Sequence, residues 1–152
     1  MPLQITPGEF EVGYIGFRCF CDFISKLTGI FPPLHFYYDA IDEDPKMDIA
    51  MGEWGKVIPP TAYHLLIWHC DCGGVIKHEH LERLSEGLEY VLDSLIPSLR
   101  MKLNDDSSYS YLQTLGLNNC SEEYISKNEK LLKKFIDACK IAIEEKVNLE
   151  FH

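Results

Sequence analysis

Imidazole, thiol and carboxylate side chains are concentrated in twelve residues, which read HCDCGGVIKHEH from His69 to His80. With Gly74 at the sharp turn, this stretch has the outline of a calcium-binding loop. The positions that supply ligands then hold His69, Asp71, Gly73 and His80, and Asp71 alone carries a carboxylate. Because Ca²⁺ is a hard cation that takes oxygen ligands, the sequence excludes a calcium loop.

The same residue types suit a softer metal. Zinc binds imidazole, thiolate and carboxylate, so the candidate metal ligands are His69, Asp71, Cys72 and His80. The alternative, which we favour, is a turn between two helices with no cofactor, in which Asp71 caps backbone N–H groups and Cys72 fills core space. A thiol nucleophile beside His69 is a third interpretation. No known catalytic motif accompanies it, so we assign no catalytic residue.

Composition restricts the class of protein. The chain has 152 residues, which fits a single domain over 1–152, and its net charge is −10. So acidic a chain is not expected to bind nucleic acid or an anionic membrane, because both attract basic surfaces. It has no apolar run of transmembrane length and no signal-peptide pattern, so we expect a cytoplasmic protein with reduced cysteines.

An acidic stretch with neighbouring aromatic residues is the candidate partner-binding surface. Acidic surfaces attract basic proteins, and exposed aromatic residues are frequent anchors of protein interfaces. The candidate residues are Tyr37, Tyr38, Asp39, Asp42, Glu43, Asp44, Asp48 and Trp54.

Hydrophobic periodicity predicts the elements that position these residues. Apolar residues at helical spacing predict helices over 14–27, 59–68 and 78–95, and Ser121 is a candidate N-cap for a last long helix. Gly29 and Pro97 are expected to end or kink two of them. The polar residues 104–110 predict a flexible loop, and the alternating tail 147–152 predicts a strand that pairs with residues 34–38. The expected fold is mainly α, with four to five helices and one short strand pair.

The segment from Leu66 to Ile76 resembles a group of small uncharacterised bacterial and phage-borne proteins. Their motif reads approximately Leu-Leu-x-His-Ser-Asp-Cys-Asp-Gly-Glu-Ile, and Cys70 and Gly73 replace its Ser and second Asp here. The resemblance extends over most of the chain and supports the fold. In character, these proteins are similar to immunity proteins that neutralise toxins. The matching residues are Arg18, Trp54, His69, Asp71, Cys72, Gly74 and the tail from Val147 to His152.

Three hypotheses for function follow. The first is an immunity-like, protein-binding inhibitor that neutralises a basic toxin or enzyme through its acidic surface. The second is a small transition-metal or thiol enzyme centred on residues 69–80, with zinc as its cofactor. The third is a phage or regulatory accessory protein.

Overall fold

The computed structural model describes residues 2–29, 63–67 and 74–152, and helices predominate in these ranges. The predicted mainly α class is therefore confirmed. None of the helices in this part of the chain is both long and apolar enough to cross a membrane. The helices are α1 (Tyr14–Thr28), α2 (His64–Ile67), α3 (His78–Tyr90), α4 (Ile96–Leu103), α5 (Tyr109–Leu115) and α6 (Glu122–Glu145). The strands are β1 (Leu3–Thr6), β2 (Phe10–Val12), β3 (Val75–Ile76) and β4 (Leu149–Phe151).

The strands form one antiparallel sheet in the order β2-β1-β4-β3. The predicted tail strand is confirmed as β4, but it lies inside a sheet of four strands and not in a single pair. Ile5 of β1 lies opposite Phe151 on one side of β4, and Ile76 of β3 lies opposite Leu149 on the other. The described partners of β4 are therefore β1 and β3, and residues 34–38 lie outside the described residues.

Phenylalanine rings join the sheet to the helices. In β1, β2 and β4, buried apolar side chains alternate with exposed polar ones, so one face of the sheet is covered. Phe10 of β2 lies 5.6 Å from Phe135 of α6 and 5.9 Å from Phe20 of α1, between ring centroids. The Phe10 and Phe135 rings are edge-to-face, an arrangement that adds stabilisation to that from burial alone. The hydrophobic core thus includes the covered face of the sheet, α1 and α6, and it continues through buried residues of α3 and α4.

Two predicted helix boundaries are confirmed by their capping residues. Gly29 follows α1 with φ of 71°, a left-handed conformation that glycine adopts without steric cost. At the start of α6, the Ser121 hydroxyl accepts a hydrogen bond from the Tyr124 N–H at 3.1 Å. The sequence signals at these two positions act locally, so they do not depend on the rest of the fold.

Pro97 does not end the helical path. After α3 the backbone widens into a π-helical turn over Val91–Leu95, and α4 continues through Pro97. The Ile96 N–H donates to the Val91 carbonyl, five residues earlier. The longer turn shifts the hydrogen-bond register, so Pro97 falls in the first turn of α4, where a missing N–H is tolerated.

The predicted loop over 104–110 is wrong, because most of this segment is helical. Asp105 precedes a 3₁₀ turn over Asp106–Ser108, and α5 begins at the next residue. The Asp105 carboxylate accepts hydrogen bonds from the Ser107 N–H at 3.1 Å and from its hydroxyl at 2.8 Å. The polar residues that suggested a loop thus cap a helical turn.

Four cysteines lie in the described ranges. Cys21 and Cys139 are buried, whereas Cys19 is exposed and Cys120 is half-buried. The Cys21 thiol donates to the Leu66 carbonyl at 3.6 Å, which links α1 to α2. Burial raises the pKa of Cys139 to about 12, so this thiol stays protonated near neutral pH.

An arginine joins α4 to the amino-terminal half of α6. Arg100 Nη1 donates to Glu129 Oε2 at 2.8 Å, and Arg100 Nε donates to Glu122 Oε1 at 3.0 Å. These hydrogen bonds hold the pKa of both carboxyl groups below its ordinary value of 4.5. Paired donors on a planar guanidinium fix the geometry as well as the charge.

We expect Arg100→Met to lower the free energy of unfolding by about 1 kcal/mol at neutral pH, through loss of the pair with the partly buried Glu129. The two carboxyl groups have lowered pKa values in the folded state, so their contribution is complete above 4.5 and is lost as the pH falls below it. Urea denaturation at several pH values should therefore show the difference from wild type shrinking in acid. The control is Lys26→Met, which breaks a single ion pair with Asp22 within α1. A difference that persists in acid would assign the effect to packing of the arginine stem.

We expect Gly8→Ala to be more destabilising than Gly29→Ala. Both glycines have positive φ, but a Cβ on Gly8 would lie 2.8 Å from Ala138 Cβ of α6, whereas a Cβ on Gly29 meets nothing within 4 Å. The expected losses are about 2–4 kcal/mol and about 1 kcal/mol, measured by chemical denaturation. Equal losses would mean that the β1–β2 turn does not pack tightly on α6.

Candidate functional site

The predicted partner-binding residues lie outside the described residues. They are Tyr37, Tyr38, Asp39, Asp42, Glu43, Asp44, Asp48 and Trp54. This surface therefore stays a prediction from the sequence.

Most of the predicted metal ligands also lie outside the described residues. His69, Asp71 and Cys72 fall there, and His80 lies in the first turn of α3. His80 Nε2 is 3.5 Å from the carboxylate of Glu79, whereas His78 Nε2 is 3.4 Å from the Ile143 carbonyl of α6. The two histidines thus diverge, as their spacing predicts. Among the described residues no three metal-ligating side chains converge, and zinc stays a prediction that metal analysis of the purified protein can test.

The described part of the chain contains another acidic surface, on the solvent side of α3. Its carboxylates recur every three or four residues, so they form one stripe along the helix, which we call the acidic ridge. The opposite side of the helix is buried through Leu81, Leu84 and Leu88. The ridge consists of Glu79, Glu82, Glu86 and Glu89, and of Asp93 in the π-helical turn.

Charge on the ridge is only partly compensated. Glu89 Oε1 lies 2.6 Å from Lys140 Nζ of α6, and this contact raises the pKa of the lysine. Glu82 and Glu86 are exposed and make no ion pair with any described residue. The ridge therefore presents the carboxylates of Glu82 and Glu86 to solvent without an ion pair among the described residues, on a helix whose opposite face is buried.

Two tyrosines lie beside the ridge. Tyr90 is 56% exposed and follows Glu86 by one helical turn. Tyr63, just before α2, packs its ring over Gly87, where a Cβ would lie 3.1 Å from the ring, and its hydroxyl donates to the Gly87 carbonyl at 3.1 Å. Burial raises the pKa of Tyr63, and the neighbouring Tyr90 adds to this. The absence of a side chain at Gly87 is what lets an aromatic ring lie against the helix here.

Sequence reasoning did not identify the ridge as a site. Five acids at helical spacing are also what a solvated helix face contains. The signal that distinguishes them is Tyr90, an aromatic residue on the exposed side of the helix, together with Gly87. Neither residue points to a binding surface from the sequence alone, because the position of the Tyr63 ring against Gly87 is seen only in the structure.

The chain matches no protein-family model, no curated protein and no solved structure.

We expect Tyr63→Phe to cost about 0.5–1.5 kcal/mol, because it removes a half-buried hydroxyl whose acceptor is a backbone carbonyl of α3. Tyr90→Phe is the matched control and should change stability by less than about 0.5 kcal/mol, since its side chain is exposed. Thermal denaturation of both variants checks this. A similar loss in both would show that Tyr63 does not hold the helix through its hydroxyl.

Proposed function

We propose that this protein is an immunity-like inhibitor that acts in a bacterial cytoplasm and neutralises a basic toxin or enzyme by binding it. The observation that carries the proposal is the acidic ridge with Tyr90 exposed beside it. The net charge of −10 supports it further. No cofactor is needed for such a function.

The physical argument begins with association. A negatively charged surface raises the rate at which a basic protein finds it and makes that rate dependent on salt. Affinity then comes from a few desolvated contacts, for which tyrosine is well suited because it buries a large ring and keeps one hydrogen-bonding group. The ridge supplies the negative charge that speeds association, and Tyr90 supplies an aromatic side chain for a desolvated contact.

The rigid backbone under the ridge supports a role in tight binding. Leu81, Leu84 and Leu88 are fully buried, and Glu89 reaches Lys140 across the boundary with α6. A surface ordered before binding loses less conformational entropy on association than a mobile one. In this proposal the predicted acidic surface at residues 39–48 adds further negative charge that is complementary to the basic partner.

The metal or thiol enzyme and the phage accessory protein stay hypotheses from the sequence. No contact among the described residues favours either of them.

Reversing the charge of the ridge should weaken partner binding by more than about tenfold. The tagged protein is used to capture its partner from the encoding organism at low salt, and the affinity of the identified partner is then measured by calorimetry. The ridge variant is Glu82→Lys, Glu86→Lys and Asp93→Lys. A second variant, Asp42→Lys, Glu43→Lys and Asp44→Lys, tests the predicted acidic stretch.

A third variant, Glu144→Lys, Glu145→Lys and Glu150→Lys, changes the net charge equally at exposed positions elsewhere. It should bind almost as tightly as wild type. The captured partner should be basic and should be released by high salt, and its activity should fall when the complex forms. Wild-type affinity in both acidic variants would show that the protein does not bind through its acidic surface.

A further inference from the structure

Among the described strands β2 lies at the edge of the sheet, so one of its sides meets no other described strand. Gln4 of β1 exchanges both backbone hydrogen bonds with His152, at 3.0 and 2.8 Å. Because these bonds alternate in direction along an antiparallel strand, the residues on either side of Gln4 pair with β2. In the observed register those pairs use Phe10 and Val12. The N–H and carbonyl of Glu11 therefore point outward, where no described strand meets them.

A groove of about 770 Å³ lies between this edge and α6, and four lysines line it. Val12 and Leu131 contribute its apolar surface. Glu11 and Glu123 also line it, and the Glu11 carboxylate accepts a hydrogen bond from Gln4 at 3.2 Å. Four lysines against two carboxylates leave the groove basic on a chain of net charge −10. We call it the lysine groove, and its lysines are Lys127, Lys130, Lys133 and Lys134.

Three of these lysines have no partner within the protein's described residues. Lys127, Lys130 and Lys134 are exposed and make no ion pair or hydrogen bond there, while Lys133 acts on the nearby carboxyl group of Glu129. The three lie at intervals of three and four residues, so they form one stripe along α6. This stripe lies on the side of α6 next to the β1–β2 hairpin, whereas Lys140 reaches Glu89 of α3.

We propose that the lysine groove binds an extended acidic segment of another protein, which adds a strand to β2 at Glu11. This binding mode uses main-chain hydrogen bonds for affinity and alternate side chains for specificity. The stripe from Lys127 to Lys134 covers about 10 Å along the helix axis. In a strand, alternate side chains lie about 7 Å apart, so two or three acidic residues at alternate positions match the stripe.

The open strand edge favours this occupant over other anions. Nucleic acid would use the lysines but has no peptide backbone to pair with Glu11. The acidic ridge of a second copy lies on a helix, whose backbone groups are already paired within the helix. An extended peptide with acidic residues at alternate positions can pair with the strand edge at Glu11 and also place its carboxylates beside the lysines. This proposal does not rest on the inhibitor function, since it uses the opposite charge and a different face.

The probe is a fluorescein-labelled peptide of eight residues in which Glu and Thr alternate, titrated at low salt and followed by fluorescence anisotropy. The variant Lys127→Gln, Lys130→Gln and Lys134→Gln should weaken binding by about tenfold or more. The control Lys26→Gln, Lys102→Gln and Lys146→Gln removes the same charge elsewhere and should leave affinity within about twofold.

Glu11→Pro tests the strand edge. Its N–H points out of the sheet, so proline removes the outward donor and keeps the β1–β2 bonds made by Phe10 and Val12. It should weaken peptide binding by about fivefold or more relative to Glu11→Ala. Circular dichroism of each variant confirms that it folds.

Three results would overturn the proposal. The first is failure of the wild-type protein to bind the peptide at low salt. The second is equal affinity in Glu11→Pro and Glu11→Ala, which would show that no strand is added. The third is a single-stranded DNA of equal charge that binds as tightly as the peptide, which would make the groove a general polyanion surface.

Discussion

The packing of Phe135 against rings from three other elements is the contact on which the fold depends. Its ring centroid lies 5.6 Å from Phe10 of β2, 6.1 Å from Phe20 of α1 and 6.5 Å from Phe151 of β4. Each partner comes from a different part of the sequence, so a single side chain of α6 ties the hairpin, the first helix and the tail together. Removing a buried phenylalanine typically costs about 3–5 kcal/mol, a large share of the stability of a small domain.

Helix α6 also separates the two charged surfaces. On one side Lys140 meets Glu89 at the boundary with the acidic ridge, and on the other Lys127, Lys130 and Lys134 line the groove beside β2. The net charge does not reveal the basic groove, because the chain is acidic as a whole. Two surfaces of opposite charge, one on α3 and one on α6, would let one protein hold a basic and an acidic partner without competition between them.

Local signals in the sequence predicted much of the fold, whereas long-range geometry was not predictable. Helix α1, its end at Gly29, the Ser121 cap and the tail strand follow from periodicity and capping residues, which act over a few neighbours. The sheet order and the π-helical turn before Pro97 depend on contacts between distant segments. For the site, sequence reasoning pointed to the acidic stretch at residues 39–48 and, as an alternative, to the cluster of ligand-type residues from His69 to His80. It did not find the ridge or the groove, since each consists of ordinary surface residues whose grouping is set by packing.

The position of β4 has a consequence for the order of folding. β4 is the last strand in sequence, yet it lies between β1 and β3, and the Thr6 hydroxyl meets His152 at 2.9 Å across 146 residues of chain. During synthesis the β1–β2 hairpin and β3 leave the ribosome long before the strand that joins them. The complete sheet therefore forms only after translation has passed residue 151, and such distant pairing makes folding slow. Until then the side of β1 that later pairs with β4 is unpaired, in addition to the outer side of β2. Unpaired strand edges promote association with other chains.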